Sequence, residues 1–398
     1  MPISGAGAKI HKVSQDSSDV FITQREPAMT ETATQDVAER FLTLHEFIPA
    51  ARKKLTDDKW DYMVGGAETE TTLKRNRMAL DSLAFRPRVL RDVSNVDCSA
   101  SLFGKKLRIP VMLAPVGSIQ RFDPGGSAAV ARAAAAFGVS QMVSSVSEPG
   151  LEATAAAATG MKVFQLYVRG DDAWVEDIID RAMAAGYDAF AFTVDVAVYS
   201  RRERDISKRA AMRSSADATA QRYQAMLSWP QIKRFRQRCK LPIIIKGIQT
   251  AEDAVIACDH GIEGIYVTNH GGRQLDHGRG TVDILQEVVE AVRGRAQIIV
   301  DGGFCRGTDV VKGIALGANA VSIGRLYLYG LAAAGQAGVH RVLELLEAEI
   351  KIGLGLLGVT SLSELDKSCV QPVAPVNPPH VFSAFPLLEI TEALRGKY

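Results

Sequence analysis

The feature that most constrains the fold of this chain is a regular alternation of short apolar runs with alanine-rich amphipathic stretches. Eight apolar runs occupy residues 109–115, 140–145, 162–168, 189–195, 242–247, 264–270, 296–303 and 320–325. Such runs predict buried strands, and the helical periodicity between them predicts helices. Strands that alternate with helices pair in parallel through right-handed crossovers. Eight units between residues 109 and about 353 therefore predict an α/β fold, the (β/α)8 TIM barrel.

A doubly wound sheet is the competing α/β architecture. It usually has fewer strands and carries a G-x-G-x-x-G turn after its first strand. Here the first run ends in Pro115, and no such glycine pattern follows it. The barrel is therefore the preferred prediction.

Three further segments frame the predicted barrel. Residues 1–38 are polar and lack periodicity, so we expect a flexible tail there. A main domain is expected over 39–370, beginning with a helical preface, and 371–398 are expected to form a C-terminal extension. The long, charged connection between Asp195 and Pro242, which follows the fourth predicted barrel strand, suggests a lid. A solvated insertion is an equally good interpretation of that connection before chemistry is considered.

Composition excludes several classes of function. Hydrophobic residues make up 47% of the chain and the formal charge is only +2, which argues against bulk disorder and against a nucleic-acid partner. The five cysteines are scattered without a C-x-x-C pair, which argues against a disulfide framework or a zinc site and suits a reducing compartment, and no metal site is expected. No signal-peptide pattern and no membrane-spanning apolar run is found. We therefore expect a cytoplasmic protein without a membrane span.

Polar and charged residues stand at the carboxyl ends of most predicted barrel strands. Catalytic groups of barrel enzymes lie at this end, and a buried unpaired charge is costly in a core strand. Packing alone does not explain so many of them, and one shared pocket is the better hypothesis. The residues concerned are Ser144, Ser145, Gln165, Tyr167, Thr193, Asp195, Lys246, His270, Arg273, Asp301 and Arg325.

The last two barrel units carry a pattern typical of phosphate binding. Glycines and arginines precede a helix after the seventh strand, at Gly303 and Arg306, and again after the eighth, at Gly324 and Arg325. Barrels commonly bind phosphate here through backbone N–H groups and a helix N-terminus. Tight turns alone would also explain the glycines of either loop taken singly. Together the loops suggest a phosphorylated substrate or cofactor.

The charged strand ends suggest specific chemistry. Lys246 suits either a Schiff-base nucleophile or a fixed cation that compensates charge on a flavin ring. A neutral His270 can accept a proton from a substrate, and Asp195 can hold its tautomer. Arg202 and Arg273 carry planar guanidinium groups, each of which can bind a carboxylate through two parallel hydrogen bonds. A lone histidine is more often a structural hydrogen-bonding group, and the other six histidines are interpreted in that way.

Several motifs in order resemble the FMN-dependent 2-hydroxy-acid oxidase/dehydrogenase family, which includes glycolate oxidase, lactate oxidase and dehydrogenase, and mandelate dehydrogenase. The resemblance covers roughly residues 40–370. The strand-six motif together with "TVD…RR" is its most specific part. The motifs are "DYMVGGAE", "LAPVGS", "FQLYV", "TVDVAVYSRRERD", "LPIIIKGI", "TNHGGRQLD", "DGGFCRGTDV" and "IGR".

The resemblance implies an FMN cofactor across the barrel mouth. His270 would be the catalytic base and Asp195 its partner, and Lys246 would face the N1/C2 carbonyl region of the flavin. The substrate-binding positions match Tyr62, Tyr167, Arg202, His270 and Arg273. The cofactor-binding positions match Pro115, Val116, Gly117, Ser144, Gln165, Thr193, Lys246, Thr268, Asp301, Gly303, Gly324 and Arg325, with Arg306 as a further candidate.

The implied reaction converts an L-2-hydroxy acid to the 2-oxo acid. His270 would remove the hydroxyl proton as hydride leaves Cα, or would remove the Cα proton; the sequence does not separate these routes. The electron acceptor would be O2 or another carrier. The resemblance also implies a homotetramer. Gly271 and Gly272, which lack side chains, are expected to let the flavin and the substrate approach the backbone closely.

Departures from the family pattern bear on substrate and acceptor. Cys305 stands where an arginine usually contacts the phosphate, and Arg306 is the expected substitute. Val146 replaces a bulky aromatic residue of glycolate oxidase, which predicts space for a bulky or aromatic substrate. Gly117 shifts the expectation slightly from oxidase toward dehydrogenase or monooxygenase behaviour.

Two alternative functions stay open at this point. Another FMN-barrel enzyme of the isomerase type would not need two carboxylate-binding arginines. A non-catalytic flavin-binding subunit of a pathway complex should have lost His270, Asp195 or an arginine, and all are present.

Overall fold

Eight parallel strands close into a barrel at the centre of the computed structural model, which describes residues 31–208 and 215–390. The barrel strands are β4 (Val111–Leu113), β5 (Ser140–Ser144), β6 (Lys162–Leu166), β7 (Ala189–Thr193), β8 (Ile243–Ile248), β9 (Gly264–Val267), β10 (Gln297–Val300) and β11 (Ala320–Ile323). Their order around the barrel is β10-β11-β4-β5-β6-β7-β8-β9. Each strand overlaps one of the eight predicted apolar runs, which confirms the (β/α)8 fold.

The barrel strands are buried on both faces, which explains why they read as continuous apolar runs. Every residue of β5, β6 and β7 is buried. One core fills the barrel interior, with Met142 and Tyr266 among its members. A hairpin of β2 (Ala100–Leu102) and β3 (Lys105–Leu107) adds Leu102 and Leu107 to that interior core.

Helices cover the outside of the barrel because their apolar stripes pack against the outward-facing strand residues. The last of them bends at Ala334 and Gly335, which have non-helical backbone angles. These helices are α5 (Gly126–Phe137), α6 (Leu151–Ala157), α7 (Asp172–Ala184), α10 (Trp229–Arg238), α11 (Ala251–Asp259), α12 (Thr281–Val292), α13 (Gly307–Ala315) and α14 (Arg325–Leu357).

A helical preface precedes the barrel, as predicted. It consists of α1 (Glu31–Arg40), α2 (Phe47–Lys54), α3 (Asp57–Val64) and α4 (Thr71–Asp81). Residues 1–30 of the predicted tail lie outside the described residues, and α1 occupies the end of that tail. Strand β1 (Leu83–Phe85) pairs antiparallel with β12 (Val370–Pro372), so the chain returns to the preface after the barrel.

The connection between β7 and α10 contains two additional helices, α8 (Glu203–Ser207) and α9 (Ser215–Met226). Part of the predicted lid, residues 209–214, lies outside the described residues. Among the described residues, no helix has the length and apolar character needed to cross a membrane. Short 3-10 helices occupy Leu44–Glu46, Ile119–Arg121, Leu362–Glu364, Lys367–Cys369 and Pro386–Ile390.

Candidate active site

A cavity of about 400 Å³ lies at the carboxyl ends of the barrel strands. It extends from the additional helix α9 to the loops after β10 and β11. Most residues predicted from the sequence to form a site line it. They are Tyr62, Pro115, Val116, Gly117, Tyr167, Arg202, Lys246, His270, Arg273, Asp301, Gly303, Gly324 and Arg325.

His270 and Asp195 lie together at this cavity although 75 residues separate them in sequence. The His270 Nδ1 atom is 3.1 Å from Asp195 Oδ1 and 3.3 Å from Oδ2. A carboxylate only accepts hydrogen bonds, so Nδ1 carries the proton and Nε2 has a lone pair. The Tyr167 hydroxyl lies 3.3 Å from Nε2. The arrangement presents one basic nitrogen to the cavity.

The electrostatic environment keeps His270 neutral and Asp195 ionised. Burial and then the charge of Lys246 lower the pKa of His270 to about 4, although Asp195 acts in the opposite direction. Burial raises the pKa of Asp195, but the neighbouring His270 and Lys246 outweigh it, and the net shift is downward. At neutral pH the imidazole can therefore accept a proton beside a carboxylate that stabilises the resulting cation.

Two arginines face the same part of the cavity. The Arg273 Nη1 group donates to the carbonyls of Tyr62 (2.7 Å) and Gly65 (2.8 Å), which fixes its guanidinium. Burial, followed by the nearby Arg202, lowers the pKa of Arg273 to about 9. The buried Arg202 Nε has no hydrogen-bond partner among the described residues. Two close, desolvated guanidinium groups favour an anionic ligand such as a carboxylate.

The loops that carry these residues are tied together by neighbouring side chains. Gln274 Nε2 donates to the carbonyls of Asp195 and Val198, each at 3.1 Å. The Ser200 hydroxyl donates to the carbonyl of Arg273. These contacts bring the segment after β7 against the segment after β9, and therefore Asp195 against His270.

The rest of the "TNHGGRQLD" motif holds the preface on the barrel. Asn269 exchanges two side-chain hydrogen bonds with Asn76 of α4, at 2.8 and 2.9 Å. Asp276 accepts hydrogen bonds from Thr69 and Thr72 at the start of α4. A Cβ at Gly272, where φ is +75°, would lie 2.6 Å from the Leu73 backbone. The expectation that Gly272 makes room for ligands is therefore wrong: it makes room for α4.

Buried polar groups are concentrated on one side of the cavity. Lys246 is buried, and the Tyr266 hydroxyl donates to Asp301 Oδ2 at 2.9 Å. The Gln165 amide donates to the Thr193 hydroxyl at 2.8 Å. Gln165 Oε1 and Asp301 Oδ1 have no partner among the described residues. Since such atoms are costly to bury alone, they indicate where a polar ligand binds.

Four other predicted cofactor residues lie next to this region rather than on the cavity wall. Ser144, Gln165, Thr193 and Thr268 are all buried at strand ends. Ser144 is paired with Gln165, and Thr193 with Lys246, in the register of neighbouring strands. Thr268 accepts a hydrogen bond from the His270 backbone N–H at 3.0 Å. Thr193 and Thr268 thus each adjoin a residue of the cavity wall, Lys246 and His270 respectively.

The end of the cavity at the loops after β10 and β11 is lined by Gly303, Gly324 and Arg325. The guanidinium of Arg325 donates to the carbonyls of Met63, Gly65 and Gly271. These three bonds use three of its five N–H groups. Burial lowers the pKa of Arg325, as expected for a cation that lacks a full counter-charge. This end is suited to an anion.

Arg306 is not brought to the cavity wall. Its Nε donates to Glu349 of α14 at 3.2 Å, and its Nη1 donates to the carbonyl of Ala384 at 3.3 Å. Cys305 lines the cavity as a neutral thiol, because burial raises its pKa to about 12. The predicted substitution of Arg306 for the arginine missing at Cys305 therefore has no geometric support.

Several wall residues were not predicted from the sequence, among them Arg77, Tyr199, Gln224 and Val381. Gln224 of α9 is buried; it accepts from the Val168 N–H at 2.7 Å and donates to the Thr193 carbonyl at 2.8 Å. It thereby joins the predicted lid to the ends of β6 and β7. A lone glutamine in a polar helix carries no sequence signal for this contact.

Comparisons with known proteins agree with this geometry. A sequence model of the family described as FMN-dependent dehydrogenase matches residues 51–372. Glycolate oxidase 1 of Zea mays is 41% identical over 344 residues, covering 81% of this chain and 93% of the relative. A peroxisomal (S)-2-hydroxyacid oxidase of Arabidopsis thaliana is 38% identical over 352 residues, covering 84% and 97%. The solved structure of mandelate oxidase with (S)-2-phenylpropionate is 39% identical, with a TM-score of 0.78 and coverage of 85% and 100%.

Proposed function

Because this chain belongs to the FMN-dependent dehydrogenase family, we propose that it oxidises an L-2-hydroxy acid with a bulky or aromatic side chain. Its cofactor is FMN, and its reaction class is the oxidation of a 2-hydroxy acid. The observation that carries the finer proposal is the position of His270, bonded to Asp195 in the same cavity as Arg202 and Arg273.

The residues around the cavity fit FMN. The phosphate would bind at Gly303, Gly324 and Arg325, where a buried cation lacks a full counter-charge. The unpartnered oxygens of Asp301 and Gln165 would accept hydrogen bonds from the ribityl chain and the ring. When bound, FMN supplies the two-electron acceptor of the oxidation.

The protein's own part in the chemistry is to hold the substrate and to accept a proton. Arg202 and Arg273 bind the carboxylate, and the Tyr167 hydroxyl can donate to a substrate oxygen. His270 Nε2 accepts the proton from the substrate hydroxyl or from Cα. On either route positive charge develops on the imidazole, and Asp195, 3.1 Å away, stabilises it.

The preference for a large side chain rests on Val146 and Gly117, which face each other on the cavity wall. A Cβ at Gly117 would approach the Val146 Cγ2 atom to 2.8 Å, so the two residues are in direct contact. Both are small, and we expect them to leave room for the side chain of the substrate. One solved relative holds a phenyl compound, which is consistent with this proposal.

An anaerobic titration tests the proposed function. The purified protein should show a bound-flavin spectrum, which mandelate and related 2-hydroxy acids should bleach. Absence of bleaching with every 2-hydroxy acid would favour the isomerase-type enzyme or the non-catalytic flavin subunit. Repeating the assay in air with peroxide detection identifies whether O2 or another carrier is the acceptor.

The substrate preference can be tested at Val146. Val146→Trp should lower the ratio of kcat/KM for mandelate to that for glycolate about tenfold or more, because the indole would occupy side-chain space. Val89→Trp is the matched control, since Val89 is 81% exposed and lies outside the cavity lining. An unchanged ratio in Val146→Trp would contradict the proposed position of the substrate side chain.

The pH dependence follows from the lowered pKa of His270. A base must be deprotonated to act, so kcat/KM should be constant near neutrality and should fall only as the pH drops toward about 4. The measurement is kcat/KM for anaerobic flavin reduction between pH 4 and 8. An acid limb centred near 6.5 would show that His270 lacks the desolvated environment described above.

Location and assembly stay predictions. We propose a cytoplasmic homotetramer, although one relative is named as peroxisomal. Cell fractionation and light scattering coupled to gel filtration test these two points.

A further inference from the structure

The segment that follows the region matched by the family is packed against the barrel. We define residues 380–388 as the C-terminal strap. It lies beyond residue 372, where the family match ends. Its apolar side chains Val381, Phe382, Ala384, Phe385 and Leu388 are each less than 10% exposed. Burial to this degree indicates a specific docking position.

The strap contacts the preface and the start of α14 behind the phosphate end of the cavity. Phe382 stacks on Trp60 of α3, with ring centroids 6.0 Å apart, and lies 6.1 Å from the ring of Tyr329 in α14. Val381 forms part of the cavity wall, as do Met63 and Leu328. The strap therefore closes this side of the cavity.

Hydrogen bonds also connect the strap to the glycine loop after β10. The Ser383 hydroxyl donates to Asp81 Oδ2 at 2.8 Å. Asp81 also pairs with Arg77, which in turn donates to the carbonyl of Gly303 at 2.6 Å. A continuous chain thus runs from Ser383 through Asp81 and Arg77 to the predicted phosphate loop.

Arg306 takes part in docking the strap rather than in binding the phosphate. It donates to the Ala384 carbonyl, and its guanidinium lies 6.0 Å from the Phe385 ring. Arg77 is neutralised by Asp81 and Asp309. Arg306 and Arg77 are therefore paired with other groups. At the phosphate end of the cavity, Arg325 is the cation that lacks a carboxylate partner among the described residues. Retention of the cofactor should then depend on closure as well as on charge.

We propose that the C-terminal strap retains FMN by closing the phosphate end of the cavity and by positioning the Gly303 loop through Ser383, Asp81 and Arg77. This inference rests on the FMN site proposed above. Ser383 and Asp81 are positioning residues, because they act on the loop through Arg77. FMN release requires the strap or this loop to move, so weaker docking speeds release.

The test is the rate of FMN release from the holoenzyme after dilution, followed by the fluorescence of free flavin. Phe382→Ala should release FMN about tenfold faster, because a buried aromatic contact is lost. Ser383→Ala should accelerate release about fivefold, and Ser383→Thr, which keeps the hydroxyl, should restore the wild-type rate. Leu387→Ala is the matched control, because Leu387 is 55% exposed within the same strap.

Thermal unfolding of the apoproteins separates retention from general stability. Faster release from Ser383→Ala with an unchanged apoprotein Tm supports the proposal, even if Phe382→Ala fails to fold. Release within twofold of wild type in Ser383→Ala overturns it. If the wild-type chain oxidises 2-hydroxy acids while the strap variants retain FMN normally, only this inference fails. If the wild-type chain binds no FMN, both proposals fail.

Discussion

Replacing His270 with asparagine is expected to slow anaerobic reduction of bound FMN by a 2-hydroxy acid about 10²- to 10⁴-fold, the usual contribution of a general base. Asparagine suits the position because His270 has φ +59°, a left-handed conformation that asparagine tolerates well. The change removes Nε2, the nitrogen that faces the cavity. Stopped-flow absorbance measures the reduction rate, and the flavin spectrum checks that FMN content is unchanged.

His277 provides a matched control for this experiment, because its backbone has the same left-handed conformation as that of His270. His277 is exposed, has φ +58° and lies outside the cavity lining, so His277→Asn makes the same chemical change without touching the site. It should reduce FMN at the wild-type rate. Reduction of FMN in His270→Asn at a rate close to wild type would remove His270 from the mechanism and would leave the base unidentified.

Arg273→Met is expected to lower kcat/KM for a 2-hydroxy acid about 100-fold. Hydrogen bonds to a charged partner contribute about 1.5–3 kcal/mol, and about 3 kcal/mol corresponds to slightly more than two powers of ten. Arg273→Lys should recover only part of the loss, since an ammonium group lacks the planar fork. Comparison with the corresponding 2-hydroxy amide isolates the carboxylate contact, because Arg273→Met should remove the preference for acid over amide.

A neighbouring arginine controls for the loss of positive charge. Arg201 is 66% exposed and pairs with Glu203, so Arg201→Met should leave both the rate and the acid-to-amide preference unchanged. Equal losses with acid and amide in Arg273→Met would indicate a structural role instead. That outcome is physically reasonable, because Arg273 also donates to the Tyr62 and Gly65 carbonyls.

The barrel could be predicted because its strands are buried on both faces. Such strands need continuous apolar runs, and their helices need an apolar stripe, so both leave periodic signals. Each of the eight predicted runs overlaps a barrel strand. The helical preface left the same kind of signal, but α1 begins at Glu31, within the segment predicted as a tail.

Functional residues could be predicted where the end of a buried strand carries a charged side chain. Burying such a charge without a partner costs free energy, so its presence there indicates a site. Lys246 and Asp301 follow this rule, and both line the cavity. Of the adjacent arginines 201 and 202, only Arg202 was predicted as a site residue, and the structure places Arg202 at the cavity and Arg201 in solvent. Residues outside strand ends, such as Gln224 in a polar helix, left no comparable signal.

The partners of Arg306 could not be predicted from the sequence. Its position beside a glycine loop favoured a phosphate contact, but its partners are Glu349, 43 residues later, and the carbonyl of Ala384. Neither partner is close in sequence, so the direction of this side chain could not be read from the motif. The buried face of the C-terminal strap depends likewise on distant contacts with Trp60 and Tyr329.

The sequence by itself determined the barrel, the polar strand ends and the family, because periodicity and short motifs are local properties of the chain. Only the tertiary structure decided that Asp195 lies 3.1 Å from His270, that Gly272 packs against α4 and that Val381 of the strap lies on the cavity wall. Those features depend on contacts between residues far apart in sequence. Such contacts arise when the closed barrel brings the ends of its strands to one face, and no local pattern encodes them.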